Sequence, residues 1–261
     1  MATYLDAILA RHRADAATDA RATGELAERA RELPPCRGFR DALRAGTELA
    51  VIAEVKRRSP SKGDLAPDLD PAVLAADYAA AGAACLSVLT DADAFGGSPE
   101  DLAAARAAVD VPVLRKDFTV AANDVCDARL MGADCVLLIA AALDDAELAD
   151  FAALAVDLGL DVLVEVHDEE ELERALATTP GDLIGVNQRD LVTFEVDQER
   201  AVRMAGAIPS TAASVAESGV RGPDDAVALA TAGYDAVLVG EHLVTAGTPG
   251  DRLARLRVPR P

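Results

Sequence analysis

Eight short apolar or β-branched runs recur along the chain at a steady beat, and this periodicity restricts the fold more than any other feature. The runs are Ala50–Val55, Ala84–Leu89, Pro112–Leu114, Asp134–Ile139, Asp161–Val166, Asp182–Val186, Ala212–Ala216 and Asp235–Val239. The first begins at Ala50 and the last at Asp235, so the interval averages about 26 residues, room for one strand and one helix. Apart from the third, the runs are nearly continuous in apolar character, as a parallel sheet covered by helices on its outer face requires.

Helical patterns fill the intervals. Asp70–Ala81 reads DPAVLAADYAAA, which places Asp70 as N-cap, Pro71 at the first helical position and Gly82 just past the end. Asp144–Leu158 and Asp168–Ala177 repeat the style, with acidic first turns and Leu/Ala at spacings of three and four. Gly132, Gly159 and Gly233 each stand between a helix and the next strand. Eight strand-then-helix units predict a (β/α)8 TIM barrel over 50–261. An open doubly wound sheet fits less well, since no early glycine-rich strand-to-helix turn appears. Residues 1–49 precede the first run. Ala2–Arg31 is helical in composition and Pro34-Pro35 interrupts it, so an N-terminal helical extension packed on the barrel is expected, within a single domain of 261 residues.

Composition sets the class of partner. The 261 residues carry 45 Asp+Glu against 25 Lys+Arg, a net charge of −20, and lysine supplies only Lys56, Lys62 and Lys116. Phosphate backbones and anionic membranes are repelled by such a surface, so no nucleic acid and no membrane is expected as partner. A Lys-poor, Ala-rich acidic chain predicts a halophilic protein in a saline cytoplasm, where salt screens the self-repulsion. Cys36, Cys85, Cys126 and Cys135 form no CxxC pair, and His12, His167 and His242 have no metal-ligand spacing, so no metal is expected. Cys135–Leu143, the longest uncharged apolar stretch near the middle, is too short for a bilayer, and Asp6 near the start argues against a secretory signal.

A closed barrel gathers its active site at the C-terminal ends of its strands. There the sequence places Glu54 and Lys56, Lys116-Asp117, Glu165 and His167, Asn187 and Arg189, Glu217-Ser218-Gly219, and Gly240-Glu241. Glu54 and Lys56 differ by two and so point the same way, into the mouth, where opposite charges share each other's field. Lys116 suits a proton-transfer role, because lysine can release its proton when partly buried and arginine cannot. A structural pairing with Asp117 or another carboxylate explains its position equally well. Ser218-Gly219 and Gly240-Glu241 follow the seventh and eighth strands, where barrels hold phosphates on backbone amides at a helix start; two helix caps are the alternative. The first loop, Lys56 to Gly63, is a basic cluster in an acidic chain and would attract an anionic small molecule.

Taken together, these residues resemble the indole-3-glycerol-phosphate synthase family. The matching segments are IAEVKRRSPSKG (52–63), SVLTDADAFGGS (87–98), VLRKDF (113–118), GADCVLLIAAAL (132–143), LVEVHDEEEL (163–172), IGVNQRDL (184–191), AESGV (216–220) and VLVGEHLV (237–244). They fall on all eight predicted strands in order. The resemblance implies a cofactor-free carboxy-lyase of tryptophan biosynthesis. Its substrate would be 1-(2-carboxyphenylamino)-1-deoxyribulose 5-phosphate, closed to indole-3-glycerol phosphate with loss of CO2 and water. It implies Lys116 as general acid and Glu165 as general base, with Glu54, Lys56 and Asn187 completing the catalytic set. Arg189, Ser59, Glu217 and Ser218 would bind substrate, Phe95 and Phe118 would wall its ring, and Lys56, Gly219, Gly240 and Glu241 would hold its phosphate. A monomer is expected. Ala94 and Gln188 depart from the family pattern, and both bear on the shape of the ring site. Phosphoribosylanthranilate isomerase chemistry would want a Cys/Asp pair at strands one and five, where Glu54/Lys56 and Glu165 stand instead.

If salt screening sustains the acidic surface, the Tm rises as KCl is raised from about 0.1 M to about 2 M. A salt-independent Tm in thermal scans would remove the halophilic reading.

Overall fold

The computed structural model describes residues 4–60, 62–190, 192–245 and 248–261. Its centre is a closed barrel of eight parallel strands. They are β1 (Ala50–Val55), β4 (Cys85–Leu89), β5 (Val113–Lys116), β6 (Cys135–Ile139), β7 (Asp161–Val166), β8 (Leu183–Asn187), β9 (Ala213–Glu217) and β10 (Ala236–Val239). Two of the eight match the predicted runs at both ends, β1 and β7. Three strands extend past the predicted run at their C-terminal ends, so that Lys116, Asn187 and Glu217 are strand residues. Polar character hid this extension, since those side chains face the barrel interior while their backbones pair with neighbouring strands.

Period two divides the sheet cleanly. Ile52, Cys85, Leu114, Leu137, Leu163, Leu183, Val215 and Leu238 pack together in the barrel interior. Val51, Ala53, Leu86, Val113, Val136, Val162, Ile184 and Val237 pack outward under the helices. Residues two further along on the inward face are Glu54, Ser87, Lys116, Glu165 and Glu217, so an apolar floor gives way to a polar mouth.

Helices α4 (Pro71–Ala80), α6 (Pro99–Ala108), α7 (Ala122–Leu130), α8 (Asp145–Asp157), α9 (Glu169–Thr178), α10 (Arg200–Met204), α11 (Pro223–Ala232) and α13 (Pro249–Leu256) surround the barrel. The predicted caps form. Asp70 accepts from the amides of Ala72 and Val73, Asp168 accepts from Glu171, and Asp144 makes a reciprocal capping box with Glu147. Two short elements follow strands at the mouth, α5 (Ala92–Phe95) and α12 (Glu241–Val244). The first loop carries a small hairpin, β2 (Arg58–Ser59) with β3 (Gly63–Asp64). Ser61, in the middle of that loop, lies outside the described residues.

The expected N-terminal helical extension is present and is divided into three helices. It comprises α1 (Tyr4–Thr18), α2 (Thr23–Arg31) and α3 (Phe39–Arg44). The break falls at 19–22, where Asp19 binds the backbone and guanidinium of Arg21, and α2 ends before Pro34. α3 closes the bottom of the barrel. Its Phe39 and Leu43 are fully buried among the interior side chains, and the backbone amides of Arg37 and Arg40 donate to Asp134 and Asp161, just before and at the start of β6 and β7. No helix among the described residues is long and apolar enough to cross a membrane.

Phe39 fills the barrel floor with no exposure, so Phe39→Ala should cost about 3–5 kcal/mol in urea unfolding. Val156→Ala, on the half-exposed outer face of α8, should stay within about 0.5 kcal/mol.

Candidate active site

The strand ends open into one cavity of about 500 Å³. Its lining includes all fourteen residues to which the resemblance gives a role, Glu54, Lys56, Ser59, Phe95, Lys116, Phe118, Glu165, Asn187, Arg189, Glu217, Ser218, Gly219, Gly240 and Glu241, while His167 stays outside it. Lys116 stands at the centre of the charges. Its Nζ lies 3.0 Å from Glu165 Oε2 and 3.6 Å from Glu217 Oε2. Asp117, one alternative partner, points outward instead and binds Arg115 at 2.9 Å and the Thr90 hydroxyl. Adjacent residues of a strand face opposite sides, so Lys116 and Asp117 cannot share one partner set.

Lys116 is outnumbered. Burial works against its charge, but Glu165, Glu217 and Glu54 overturn that effect and raise its pKa above the ordinary lysine range. Two carboxylates beside one ammonium cannot both ionise cheaply, and their surroundings differ. Burial alone would raise Glu165, yet Lys116, His167 and the Asn187 amide, which donates to Glu165 Oε1 at 3.1 Å, hold it down at about 2. Burial pushes Glu217 up to about 8; Lys116 opposes this from farther away, while Glu165 and Glu54 reinforce it. Glu217 Oε1 is buried without a hydrogen-bond partner among the described residues and lies against Gly185, where a Cβ would come within 2.1 Å. We therefore assign the charge to Glu165 and the proton to Glu217.

Lys56 Nζ sits 2.5 Å from Glu54 Oε2, the pairing expected from their spacing. Glu54 Oε2 in turn rests against Gly240, where a Cβ would approach to 2.2 Å, so no larger residue fits there beside that carboxylate. Ser59 is buried in the first loop, where its hydroxyl accepts from the Lys62 amide at 3.2 Å. Lys62, expected as part of the basic first loop, joins the Glu241 carboxylate, and Arg189 Nη2 lies 3.9 Å from the same group. Arg189 is held by Asn187 Oδ1 at its amide and by the Phe194 carbonyl at its guanidinium.

The two glycine turns differ from each other. Glu241 begins α12 directly after Gly240, as expected. After β9 no helix starts at Ser218-Gly219; α11 begins only at Pro223, because Ser218 and Gly219 both take left-handed backbone (φ 66° and 77°) and turn the chain first. The Gly219 amide has no acceptor among the described residues. Phe95 and Phe118 stack with centroids 6.4 Å apart on one side of the cavity. Neither departure from the family pattern lines it. Ala94 donates its amide to Asp91, and Gln188 props the Ser218 carbonyl at 2.8 Å.

Sequence reasoning missed the apolar part of the lining, Leu89, Leu137, Ile139, Phe194, Val196 and Leu238. The three leucines and Ile139 carried a signal in inward parity at strand ends. Phe194 did not, because its place depends on a non-glycine φ of 61° in the loop after β8.

A family model described as indole-3-glycerol phosphate synthase matches residues 5–256. The chain is 52% identical over 237 residues to the indole-3-glycerol phosphate synthase of Paenarthrobacter aurescens (strain TC1), covering 89% of this chain and 87% of that one. It is 50% identical over 260 residues to the protein of that name from Arthrobacter sp. (strain FB24), covering 97% and 94%. Among solved structures, a thiamine phosphate pyrophosphorylase from Pyrococcus furiosus superposes with a TM-score of 0.59 over 80% of this chain and 93% of its own; at 17% identity the likeness bears on the fold alone.

Glu217 keeps its proton in the folded chain up to about pH 8, whereas the unfolded chain releases it near 4.5, so folding is increasingly disfavoured as pH rises between those values. Glu217→Gln removes that penalty. Its Tm relative to the parent should be higher at pH 8 than at pH 5; an equal difference at both would refute the assigned proton.

Proposed function

Since the chain belongs to the indole-3-glycerol phosphate synthase family and is thereby a carboxy-lyase of tryptophan biosynthesis, we propose that Lys116 and Glu165 act as general acid and general base in closing the indole ring. The substrate is 1-(2-carboxyphenylamino)-1-deoxyribulose 5-phosphate. The ring carbon bearing the carboxylate attacks the ketone carbon, and Lys116 protonates the ketone oxygen as the new bond forms. CO2 then leaves, and its bonding electrons restore the aromatic ring. The hydroxyl takes a second proton, from solvent, and departs as water, while Glu165 takes the proton lost from the neighbouring carbon as the indole double bond forms; passing that proton to Lys116, 3.0 Å away, restores both groups.

The observation that carries this reading is the 3.0 Å contact between the Lys116 ammonium and Glu165 inside a cavity rimmed by further cations and glycine amides. A raised pKa keeps Lys116 protonated through the neutral range. Such an ammonium still serves as acid, because the oxygen it meets becomes an alkoxide, a much stronger base than an amine. An ionised Glu165 is ready to accept a proton. Asn187 aims that carboxylate. Lys56, kept upright by Glu54, serves the substrate's carboxylate and phosphate, and Arg189 orients the carboxylate. Ser59, Glu217 and Ser218 complete the contacts to substrate. Phe95 and Phe118 wall the aromatic ring. Gly219, Gly240 and the Glu241 amide cradle the phosphate, which the Gly219 amide, without an acceptor among the described residues, suits. Clamping both ends of the substrate supplies the orientation that ring closure needs.

Every group in this scheme comes from one chain, which supports a competent monomer. The Lys-poor acidic composition supports operation in a saline cytoplasm.

Lys116→Met should lower kcat by at least about 10²-fold, followed by indole fluorescence in high salt, while a substrate analogue with its ketone reduced to an alcohol still binds. Normal turnover in that variant would exclude the acid role.

A further inference from the structure

One cluster of titratable groups lies beside the cavity and takes no part in the proposed chemistry. His12 of α1 reaches over the ends of β4 and β5, where its Nε2 lies 2.8 Å from Asp91 Oδ2 and 3.8 Å from Asp117 Oδ1. The Asp91 side chain is fully buried. It also binds Arg11, the preceding residue of α1, and that guanidinium helps hold its pKa far below the ordinary carboxylate range against the effect of burial. The ligand atoms of His12, Asp91 and Asp117 lie within 4.8 Å of one another, a spacing a metal ion would also use. Two arginines already supply the positive charge there, Arg11 at Asp91 and Arg115 at Asp117.

Each carboxylate does a second job. Asp91 Oδ1 accepts from the Ala94 amide at 2.6 Å and so caps α5, the short helix that carries Phe95. Asp117 Oδ1 accepts from the Phe118 amide at 2.8 Å. The two phenylalanines that wall one side of the cavity are thus each tied to a carboxylate, and His12 touches both carboxylates. Its ring also packs on Phe118, with centroids 5.4 Å apart and planes tilted by 46°, while Phe118 stacks on Phe95. His12, Phe118 and Phe95 form a row running from the extension into the cavity.

We infer that His12 and Asp91 are positioning residues: by locking α1 to the turns after β4 and β5, they fix the Phe95–Phe118 wall against which the substrate's aromatic ring is held. This rests on the ring-wall role given to those phenylalanines under the proposed function. Chemistry makes the wall's placement matter, because the attacking atom belongs to the aromatic ring itself. A ring that tilts by a fraction of an ångström leaves the near-attack geometry, although the phosphate at the far side of the cavity stays bound.

The test uses the full chain and four readouts: kcat, KM, inhibition by inorganic phosphate, and Tm. His12→Ala should lower kcat/KM between about 10- and 100-fold, with phosphate inhibition within about twofold of the parent. His12→Phe, which keeps a ring on Phe118 without the bond to Asp91, should recover only a minor part of the loss. Asp91→Asn keeps the cap on Ala94 and loosens the tie to α1; it should fall in the same direction and decides the matter should His12→Ala fail to fold. Parent-like kcat/KM in both His12→Ala and Asp91→Asn overturns the inference, as does a proportional loss of phosphate affinity, which would mark general damage to the site. A parent enzyme that forms no indole instead defeats the proposed function. An active parent with indifferent variants defeats only the positioning role.

Discussion

The site is organised by one imbalance, a single ammonium facing more buried negative charge than it can neutralise. Glu54, Glu165 and Glu217 are each nearly inaccessible, and all three bear on Lys116. Burying even one uncompensated carboxylate costs several kcal/mol, so the cluster persists only because its members divide the burden. Lys56 takes Glu54, Lys116 takes Glu165, and Glu217 keeps its proton. The result is two ammoniums, a charged carboxylate and a protonated one gathered at a single mouth.

Closure of the barrel is what forces this crowding. In an open sheet the inward positions of distant strands would face different helices. Here the inward residues of β1, β5, β7 and β9 meet across one mouth, although Glu54 and Glu217 stand more than 160 residues apart in the chain. Two glycines then permit what larger residues would block. Gly185 leaves room for the Glu217 carboxylate and Gly240 for that of Glu54. These glycines act through the space their missing side chains leave beside a buried acid.

What could be read from the sequence follows the same division. Strand periodicity, helix caps such as Asp70 and Asp144, and the parity of Glu54 with Lys56 are local signals, carried by residues within a few positions of each other. The inward-facing charges were visible because charged residues interrupt apolar runs at strand ends. α3 was not visible: six residues are too few for a helical period to declare itself, and Phe39 and Leu43 reveal their purpose only once a barrel floor exists to be filled. The break between α1 and α2 was equally hidden, because Asp19 and Arg21 act through a turn and a distant Asp127. Which of Glu165 and Glu217 carries the charge depends on a difference of 0.6 Å in distance to Lys116 and on Asn187, and no spacing in the sequence encodes that.

The extension shows how an element outside the repeating units can still brace the barrel mouth. α3 fills the floor from below, whereas α1 reaches the mouth, where Ile8 joins the cluster that includes Phe118 and Ile139. Tyr4 packs edge-on against Phe194 at 5.4 Å, and Arg13 binds Glu147 and the Ala142 carbonyl. Helix α1 therefore touches the turns after β4, β5, β6 and β8, four of the eight that build the mouth. Eight similar units closing on themselves leave the loops at the mouth free to vary independently. A helix lying across half of them restricts that freedom, and the restriction is strongest at His12, where two acids and an aromatic ring converge.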